Sequence, residues 1–455
     1  MSFQRHLLEK LEQWKISKDR KPLIMRGARQ VGKTTLVKQF SASFRQFIHI
    51  NLELEEDFRL FTTFKDVPRL VEALFIANSL PIEEKEETLL FIDEIQESPE
   101  AIGMLRYFYE QEPELPVIAA GSLLEHAMHK VRSFPVGRVQ MLHMYPMNFM
   151  EFILGLGQKN LSRHLLTIPV REVAHPTLLY WFNQYAIIGG MPEVVHTYLQ
   201  TKSVATLQSV YESIWETYKE DVVKYADTDT EARVIRHIMQ TAHLKVDTRI
   251  KFQHFGQSNY RSREVGEAFR KLDDARIIQL IYPTTDITPP IQSDLQKSPR
   301  LQFLDTGLVN YELNIQSAML AMNDLNDAYR GAIIPHLITQ ELMSLNTSKA
   351  TKPNFWVREK NQSSAEVDLL VQHGPFTIPI EIKSGKEGKL KSLHQFVQAS
   401  PHPYAVRMYA GPFSVEQHTT REGKKYLLMN LPYYLGTQLH EYLTYFTENY
   451  SVKLS

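Results

Sequence analysis

The stretch Gly27-Ala-Arg-Gln-Val-Gly32-Lys33-Thr34 decides the fold of the N-terminal part of the chain. An apolar run that ends at Met25 precedes it, and a helix-forming run that begins at Lys33 follows it. The stretch matches G-x-x-x-x-G-K-[ST], a loop between a strand and a helix whose backbone amides surround phosphate groups. A chance loop is the alternative, and the flanking strand and helix argue against it. We predict that the nucleotide contacts Gly27, Ala28, Arg29, Gln30, Val31, Gly32, Lys33, Thr34 and Thr35.

Two carboxylates end the apolar run Leu89-Leu-Phe-Ile-Asp93-Glu94, which predicts a buried strand. Because open α/β sheets bind ligands at the carboxyl ends of their strands, we expect these acids beside the phosphate loop. Lys33 would reach the β- and γ-phosphates of ATP, while Thr34 and Asp93 would hold Mg²⁺. Glu94 would polarise the attacking water, which makes the predicted reaction hydrolysis. In isolation, two acids after a strand are also a simple solvated strand end.

Two further polar residues are candidates for the same site. Ser122 follows the apolar run Val117–Gly121, so it is expected to sense the γ-phosphate or the lytic water, or else to cap the next helix. Arg138 precedes the fifth predicted strand, and its charge would stabilise the transferring phosphate in cis or from a neighbouring subunit. An ordinary surface arginine is the alternative, and action in trans would require a homo-oligomer.

The composition narrows the class of protein. At 455 residues the chain should form two or three domains. It has no cysteine, which excludes disulfides, thiolate zinc sites and iron–sulfur clusters. A net charge of −1 gives no global field toward nucleic acid or anionic membranes. The sequence shows no secretory signal and no apolar run of membrane-spanning length, so we expect a cytoplasmic protein with no membrane partner.

The order of apolar runs predicts an α/β fold. Up to about residue 150, strands alternate with helices in the pattern of a parallel sheet covered on both faces. The chain is then mainly helical to about residue 250, and a small helix-and-strand module follows to residue 299. The predicted strands are Pro22–Met25, Phe47–Leu52, Thr88–Ile92, Pro116–Ala120, Val139–Met144, Phe355–Arg358, Glu366–Gln372 and Thr377–Lys383.

Eight motifs along the chain occur in a combination typical of one family. They are Gly27–Thr34, Phe91–Gln96, Ala120–Leu124, Gly137–Arg138, Tyr145–Phe152, Gly189–Glu193, Lys297–Leu308 and Glu381–Gly385. Together they resemble the prokaryotic predicted ATPases of the AAA superfamily that carry a C-terminal domain of unknown function. The resemblance implies an AAA-type P-loop ATPase core at 1–160, a helical lid at 161–250, a winged-helix-like module at 251–299 and a nuclease-like domain at 300–455.

A second group of candidate residues lies near the C-terminus. Glu381 and Lys383 are two apart on a predicted strand, so their side chains share one face, and Asp368 lies on the strand before. This is the arrangement of PD-(D/E)xK nucleases, in which acids hold Mg²⁺ or Mn²⁺ and the lysine assists the water. Glu341 on a preceding helix would be a further acid, and Glu366 a substitute ligand. A cross-strand charge cluster is the alternative.

The sequence leaves the partner open. The winged-helix-like module would bind DNA phosphates through Arg261, Arg263, Arg270 and Lys271, or serve only as a packing unit. Lys383, Lys386, Lys389 and Lys391 add positive charge that would contact phosphates, although solvated lysines are the simpler explanation. Two hypotheses therefore stand. The nucleotide state controls a nuclease-like, DNA-acting domain, or ATP drives a non-nucleolytic switch or scaffold that regulates assembly.

Overall fold

The structure is a computed structural model, and it describes residues 3–122, 124–128, 131, 135–224, 226–322, 325, 328–329, 331–349, 351–360, 363–383 and 390–452. The chain forms two compact units. The first comprises Met1–Pro146 with Asp274–Arg276 and Asn346–Ala350, and the second comprises Met147–Asp273, Ile277–Leu345 and Thr351–Ser455. The finer division of the second unit into lid, winged-helix-like module and nuclease-like domain stays a prediction.

The first unit alternates helices and strands, as the sequence predicts. All five predicted strands are confirmed, and each of their ends lies within one residue of its predicted position. The elements are α1 (Leu7–Lys15), β1 (Leu23–Arg26), α2 (Lys33–Ser41), β2 (Gln46–Asn51), α3 (Glu55–Thr63), α4 (Val67–Ala77), β3 (Thr88–Asp93), α5 (Pro99–Gln111), β4 (Val117–Gly121), α6 (Leu124–Met128) and β5 (Gln140–His143), with 3-10 turns at Ile82–Glu87 and Ile95–Glu97.

The five strands form one parallel sheet in the order β2-β3-β4-β1-β5. Strands β3 and β4 lie inside the sheet and are buried at every residue, as in a parallel sheet that is covered on both faces. In the registers of the sheet, Arg26 at the end of β1 is level with Gly121 and His143, and Asp93 is level with Asn51. The segments after β1, β3 and β4 therefore leave the sheet at one carboxyl edge. This parallel sheet is consistent with the core of a P-loop nucleoside triphosphatase, and it confirms the predicted fold class.

The second unit begins with a helical part, and further helices follow among its strands. The helices of the whole unit are α7 (Phe149–Gly155), α8 (Lys159–Leu165), α9 (His175–Ile188), α10 (Pro192–Thr201), α11 (Gln208–Val223), α12 (Asp229–Thr241), α13 (Ser262–Asp274), α14 (Thr306–Glu312), α15 (Gln316–Met319), α16 (Ile333–Leu345), α17 (Lys391–Ala399) and α18 (Leu439–Asn449). Single 3-10 turns lie at Glu172–Ala174, Ala205–Leu207, Ala242–Lys245, Phe255–Gln257 and Tyr433–Gln438. Among the described residues, no helix combines the length and apolar character needed to cross a membrane.

Two sheets complete the second unit. A mixed sheet has the order β13-β14-β12-β11-β10-β9-β7, and β6 pairs antiparallel with β8 in a smaller sheet. The three predicted C-terminal strands are present as β9 to β11, and β10 and β11 form an antiparallel hairpin. The strands are β6 (Ile278–Ile281), β7 (Pro283–Thr284), β8 (Arg300–Phe303), β9 (Asn354–Lys360), β10 (Ser363–His373), β11 (Phe376–Ile382), β12 (Tyr404–Tyr409), β13 (Ser414–Thr419) and β14 (Lys425–Pro432).

A buried aspartate holds the interior of the second unit together. The carboxylate of Asp305 caps α14 by accepting hydrogen bonds from the backbone N–H groups of Gly307 and Leu308, and it also accepts one from Gly190 at 2.6 Å. A Cβ at Gly189 would lie 2.1 Å from Asp305 Oδ1, so only glycine fits there. The motifs Gly189–Glu193 and Lys297–Leu308 thus include the two sides of one buried capping contact.

Candidate active site

The phosphate loop joins β1 to α2 with the backbone that the motif requires. Gly32 has a left-handed φ of 97° directly before α2, a conformation that favours glycine. A Cβ at Gly27 would lie 2.4 Å from the carbonyl oxygen of Met144, so the close approach of these two segments also depends on glycine. Helix α2 begins at Lys33, as predicted, and directs its free N–H groups toward the loop.

Lys33 is buried, with a relative exposure of 7%. Its Nζ donates hydrogen bonds to the carbonyl oxygens of Gly27 and Ala28, both at 2.9 Å. Burial lowers the pKa of Lys33 to about 8, and the carboxylates of Glu94 and Asp93 act in the opposite direction. The lysine therefore keeps most of its charge near neutral pH, and phosphate oxygens would offer it better acceptors than two loop carbonyls.

Thr34 and Asp93 meet as the sequence predicts. The Thr34 hydroxyl donates to Asp93 Oδ2 at 2.8 Å, and His49 Nε2 lies 3.6 Å from the same oxygen. Burial opposes ionisation of Asp93, but the nearby His49 and the hydrogen bonds from the Thr34 hydroxyl and the Glu94 backbone N–H outweigh burial and lower its pKa. A hydroxyl beside an ionised carboxylate is the hard oxygen donor set that suits Mg²⁺. His49 was not among the predicted site residues.

Glu94 directly follows β3 and has a left-handed backbone, with φ 51° and ψ 43°. Burial raises the pKa of Glu94, opposed by a hydrogen bond from Gln96 and by the charge of Lys33. The Gln96 Nε2 donates to Glu94 Oε2 at 2.6 Å. The structure therefore brings the predicted general base close enough to Lys33 for their charges to interact, and it adds Gln96 as a partner that the sequence reasoning missed.

Ser122 follows β4 at the same carboxyl edge of the sheet. The side chain is 5% exposed, and its Oγ has no hydrogen-bond partner within the part of the chain that the structure describes. A buried hydroxyl without a partner costs free energy, about 1–3 kcal/mol for typical groups. This placement fits a residue that binds a ligand oxygen.

The other predicted loop contacts differ in exposure. Ala28 and Val31 are buried, Gln30 has a left-handed φ of 62°, and the side chain of Thr35 is exposed in the first turn of α2. Arg29 pairs with Glu53 at 3.4 Å. These residues shape the loop and its rim.

Arg138 lies at the opposite edge of the sheet. It precedes β5, whose first residue, Gln140, is level with Leu23 at the start of β1. Its Nε pairs with Glu110 at 3.0 Å, and this pairing with Arg138 and a second one with Arg106 lower the pKa of the Glu110 carboxyl. The phosphate loop leaves the far end of β1, so the position of Arg138 favours action on a neighbouring copy over action in cis. Both roles of Arg138 stay predictions.

The C-terminal candidates converge in part. Asp368 Oδ2 accepts a hydrogen bond from the backbone N–H of Ile382 at 2.8 Å, and Lys383 Nζ pairs with Glu381 Oε1 at 2.8 Å. Glu381 is 4% exposed, and its Oε2 has no hydrogen-bond partner among the described residues. Burial raises the pKa of Glu381 to about 8, and the negative charge of Asp368 adds to this effect. Asp368, Glu381 and Lys383 thus form one group.

Arg300 joins this group, and the sequence analysis had not singled it out. Its guanidinium donates to the carbonyl oxygen of Asp368 at 3.0 Å and pairs with Glu366 and, at 3.7 Å, with Asp247. Burial raises the pKa of Asp247 to about 7. Glu366 therefore pairs with an arginine instead of replacing a metal ligand. Within the described ranges, no three His, Asp or Glu side chains have the arrangement of a metal site.

Glu341 lies in a different setting. It is buried in α16, where its carboxylate accepts hydrogen bonds from the Tyr185 hydroxyl at 2.7 Å and the backbone N–H of Phe149 at 3.1 Å. Burial raises the pKa of Glu341 to about 8. These contacts are with the helical part of the second unit and not with Asp368 or Glu381, so the structure does not support Glu341 as a member of that group.

The basic residues predicted to contact DNA are partly neutralised. On α13, Arg263 pairs with Glu267 at 2.8 Å, and Lys271 pairs with Asp227 and Glu231 at 2.7 and 2.8 Å. Lys386 and Lys389 lie outside the described residues. The surface of α13 therefore carries less free positive charge than its sequence suggests.

Comparison with known families agrees with this geometry. Residues 19–153 match the family described as an AAA domain. The chain contains an AAA-type, ATPase-like P-loop domain. Residues 179–318 match a domain of unknown function (DUF8612), and residues 330–432 match another (DUF4143).

The chain was also compared with solved structures and with curated proteins. Among solved structures, the Walker-type ATPase PABY2304 of Pyrococcus abyssi is similar, with 16% identity and a TM-score of 0.44. The similarity covers 69% of this chain and 96% of that one. No curated protein matches the chain.

Proposed function

We propose that the first unit binds ATP with Mg²⁺ and hydrolyses it. The observation that carries this proposal is the hydrogen bond of 2.8 Å between Thr34 and Asp93, with Glu94 as the next residue. Thr34 and the acids at the end of β3 thus come from two separate segments to a place where the loop amides, the start of α2 and a buried lysine favour phosphate groups.

Each residue has a defined task in the proposed reaction. The loop amides and Lys33 bind the β- and γ-phosphates, and Thr34 and Asp93 hold Mg²⁺, which would neutralise phosphate charge. Ser122 orients the γ-phosphate or the water. The water oxygen forms a bond to the γ-phosphorus as the bond from that phosphorus to the bridging oxygen breaks. The proton of the water goes to Glu94, and the products are ADP and phosphate.

The first experiment compares two lysines of the same helix. Lys33→Ala should abolish ATP-dependent phosphate release and weaken binding of a fluorescent ATP analogue, whereas Lys38→Ala, which alters an exposed residue of α2, should do neither. Equal hydrolysis by the wild type and Lys33→Ala would contradict the assignment.

A second activity is supported by the group Asp368, Glu381 and Lys383. The buried, unpartnered Glu381 Oε2 beside the carboxylate of Asp368 suits a divalent cation, Mg²⁺ or Mn²⁺. Such a cation would activate water toward a phosphodiester, and Lys383 would assist. We therefore propose that the nucleotide state controls a nuclease-like domain that acts on DNA.

The competing proposal is an ATP-driven switch or scaffold without nuclease activity. It is supported by Arg300, which pairs with Asp247 and Glu366 next to this group and donates to the carbonyl oxygen of Asp368, so positive charge is supplied from within the protein. In this account the acids and Lys383 are structural, and the nucleotide state regulates assembly with protein or DNA.

Two readouts separate these proposals. Plasmid and linear DNA are incubated with the wild type, Asp368→Ala and Lys383→Ala in Mg²⁺ or Mn²⁺, and the melting temperature is measured with and without Mn²⁺. A nuclease predicts cleavage that both variants lose and stabilisation by Mn²⁺ that Asp368→Ala loses. Cleavage at the same level in both variants would exclude this site, and no cleavage would favour the switch.

A further inference from the structure

Gln96 lies in the 3-10 turn Ile95–Glu97 that follows Glu94. It is 9% exposed. Its Nε2 donates to Glu94 Oε2 at 2.6 Å and makes a longer contact of 3.4 Å with Glu97 Oε1. The short hydrogen bond fixes one oxygen of the proposed general base.

The backbone alone does not fix that oxygen. Glu94 lies beyond the end of β3 and has a left-handed φ of 51°, which costs a residue with a side chain about 1–3 kcal/mol. Strained residues of this kind occur at functional sites where the surrounding structure holds them. Gln96 is the side chain that holds the Glu94 carboxylate.

Gly121 makes room for Gln96. A Cβ at position 121 would lie 2.7 Å from Gln96 Oε1 and 3.4 Å from a methyl carbon of Ile95. Gly121 is the last residue of β4, and the next residue is Ser122. The absence of a side chain at 121 therefore allows Gln96 to lie between the ends of β3 and β4.

The carbonyl oxygen of the Gln96 side chain argues against the view that Gln96 serves only to stabilise the fold. Gln96 Oε1 is buried and has no hydrogen-bond partner in the described part of the chain. A residue kept for stability alone would leave no buried acceptor unsatisfied, since an apolar side chain of similar length avoids that penalty.

We propose that Gln96 is a positioning residue for ATP hydrolysis, which orients the Glu94 carboxylate toward the water that attacks the γ-phosphate. Gly121 is part of the same arrangement because it leaves space for the Gln96 side chain. This inference rests on the proposed ATPase function. Gln96 acts through Glu94, so its loss should lower the rate of the chemical step and leave nucleotide binding intact.

The test substitutes two glutamines that have the same kind of contact. Gln96→Met keeps the length of the side chain but removes the donor. Gln46→Met is the matched control, because Gln46 Nε2 also donates to a glutamate, Glu84, at 2.6 Å, but at the amino end of β2. The turnover number is measured with ATP and Mg²⁺, and the dissociation constant with a non-hydrolysable ATP analogue.

We expect Gln96→Met to lower the turnover number about 10- to 100-fold, as a small misplacement of a catalytic group does. Its dissociation constant should stay within about twofold of the wild-type value, and Gln46→Met should match the wild type in both. If Gln96→Met folds poorly, Gly121→Ala tests the same contact without altering Gln96, and it should show the same loss of turnover with unchanged binding.

Three outcomes would overturn the inference. These are wild-type turnover in Gln96→Met or Gly121→Ala, a loss explained entirely by weaker binding, and an equal loss in Gln46→Met. Glu94→Gln is measured in parallel, because it shows whether only the proposed role of Gln96 is wrong or the proposed ATPase mechanism as well. If Glu94→Gln is inactive while Gln96→Met is fully active, only the role of Gln96 is wrong, whereas an active Glu94→Gln refutes the proposed base.

Discussion

The phosphate loop and the C-terminal group contain similar side chains, acids beside a lysine, but their charges are satisfied differently. Lys33 donates to loop carbonyls, and its nearest acids act on it only through space. Lys383, by contrast, pairs directly with Glu381. Arg300, which donates to the carbonyl oxygen of Asp368, pairs with the neighbouring acids Asp247 and Glu366.

The difference shows how a ligand site is distinguished from a structural charge cluster. A buried charge whose natural partner is a ligand lowers the stability of the free protein, whereas a charge paired within the protein is costly to remove. Two acids and a lysine at the phosphate loop and the same types of residue in the C-terminal group can therefore have opposite effects on the stability of the free protein.

The largest expected effect on stability comes from Arg300. Arg300→Met should lower the free energy of unfolding by about 3–5 kcal/mol, because it leaves the largely buried side chain of Asp247 and the half-buried Glu366 without their cation. Lys33→Met should change it by less than about 1 kcal/mol, because the loss of two hydrogen bonds to loop carbonyls is offset by removing a buried charge that pairs with no acid among the described residues. Chemical denaturation of both variants measures the difference.

The control for Arg300 is Arg249→Met, because Arg249 is one-third exposed and lies 4.0 Å from Glu366. It should resemble the wild type. Equal losses in Lys33→Met and Arg300→Met would mean that the two sites do not differ in the way proposed.

The next effect concerns catalysis. Asp93→Asn should slow ATP hydrolysis by a factor of about 100 or more, since it removes the charge that would hold the metal at the reacting phosphate. Asp368→Asn should leave ATP hydrolysis unchanged. Phosphate release at increasing Mg²⁺ concentrations checks both, and a comparable loss in Asp368→Asn would contradict the separation of the two sites.

A smaller effect is the loss of folding stability at acidic pH that His336 causes. His336 is fully buried, accepts a hydrogen bond from the backbone N–H of Phe303, and has a pKa lowered by burial to about 3. Since its pKa in the unfolded chain is near 6.5, the unfolded state binds more protons between these values, and stability falls as the pH falls from 6.5 toward 3. At pH 5 this residue alone should cost about 2 kcal/mol relative to pH 7.5.

The measurement is the denaturation midpoint at pH 5 and pH 7.5 for the wild type and His336→Gln. The variant should lose less stability on acidification than the wild type, although its stability at pH 7.5 will be lower. An identical pH dependence in both proteins would show that His336 is not the responsible group.

The smallest effect is expected for Arg138. Because its partner Glu110 is on the surface, Arg138→Ala should leave hydrolysis by a dilute protein within about twofold of the wild-type rate. A larger loss that appears only as protein concentration rises would support action of Arg138 on a neighbouring copy.

The sequence predicted that residues of the phosphate loop and of the end of β3 come together, because this geometry follows from the backbone. Lys33 and Thr34 are fixed by the loop and the start of α2, and Asp93 by the end of β3, so local patterns place all three at one sheet edge. The same reasoning placed the hairpin of Asp368 and Glu381, where strand alternation and spacing suffice.

The remaining contacts join residues far apart in the sequence, and no local pattern marks them. Arg300 and Glu366 are an example, as are Glu341 and Tyr185, and Arg138 and Glu110. Gln96 differs from these, since it lies two residues after Glu94 in a quoted motif. What the sequence could not show is the turn that brings its amide onto the Glu94 carboxylate.

The most direct test of the central claim is the rate of ATP hydrolysis by Glu94→Gln, measured as phosphate release alongside binding of ATP. The variant keeps the shape of the side chain but cannot accept the proton of the water. We predict that it binds ATP as the wild type does and releases almost no phosphate. Hydrolysis at the wild-type rate would contradict the account.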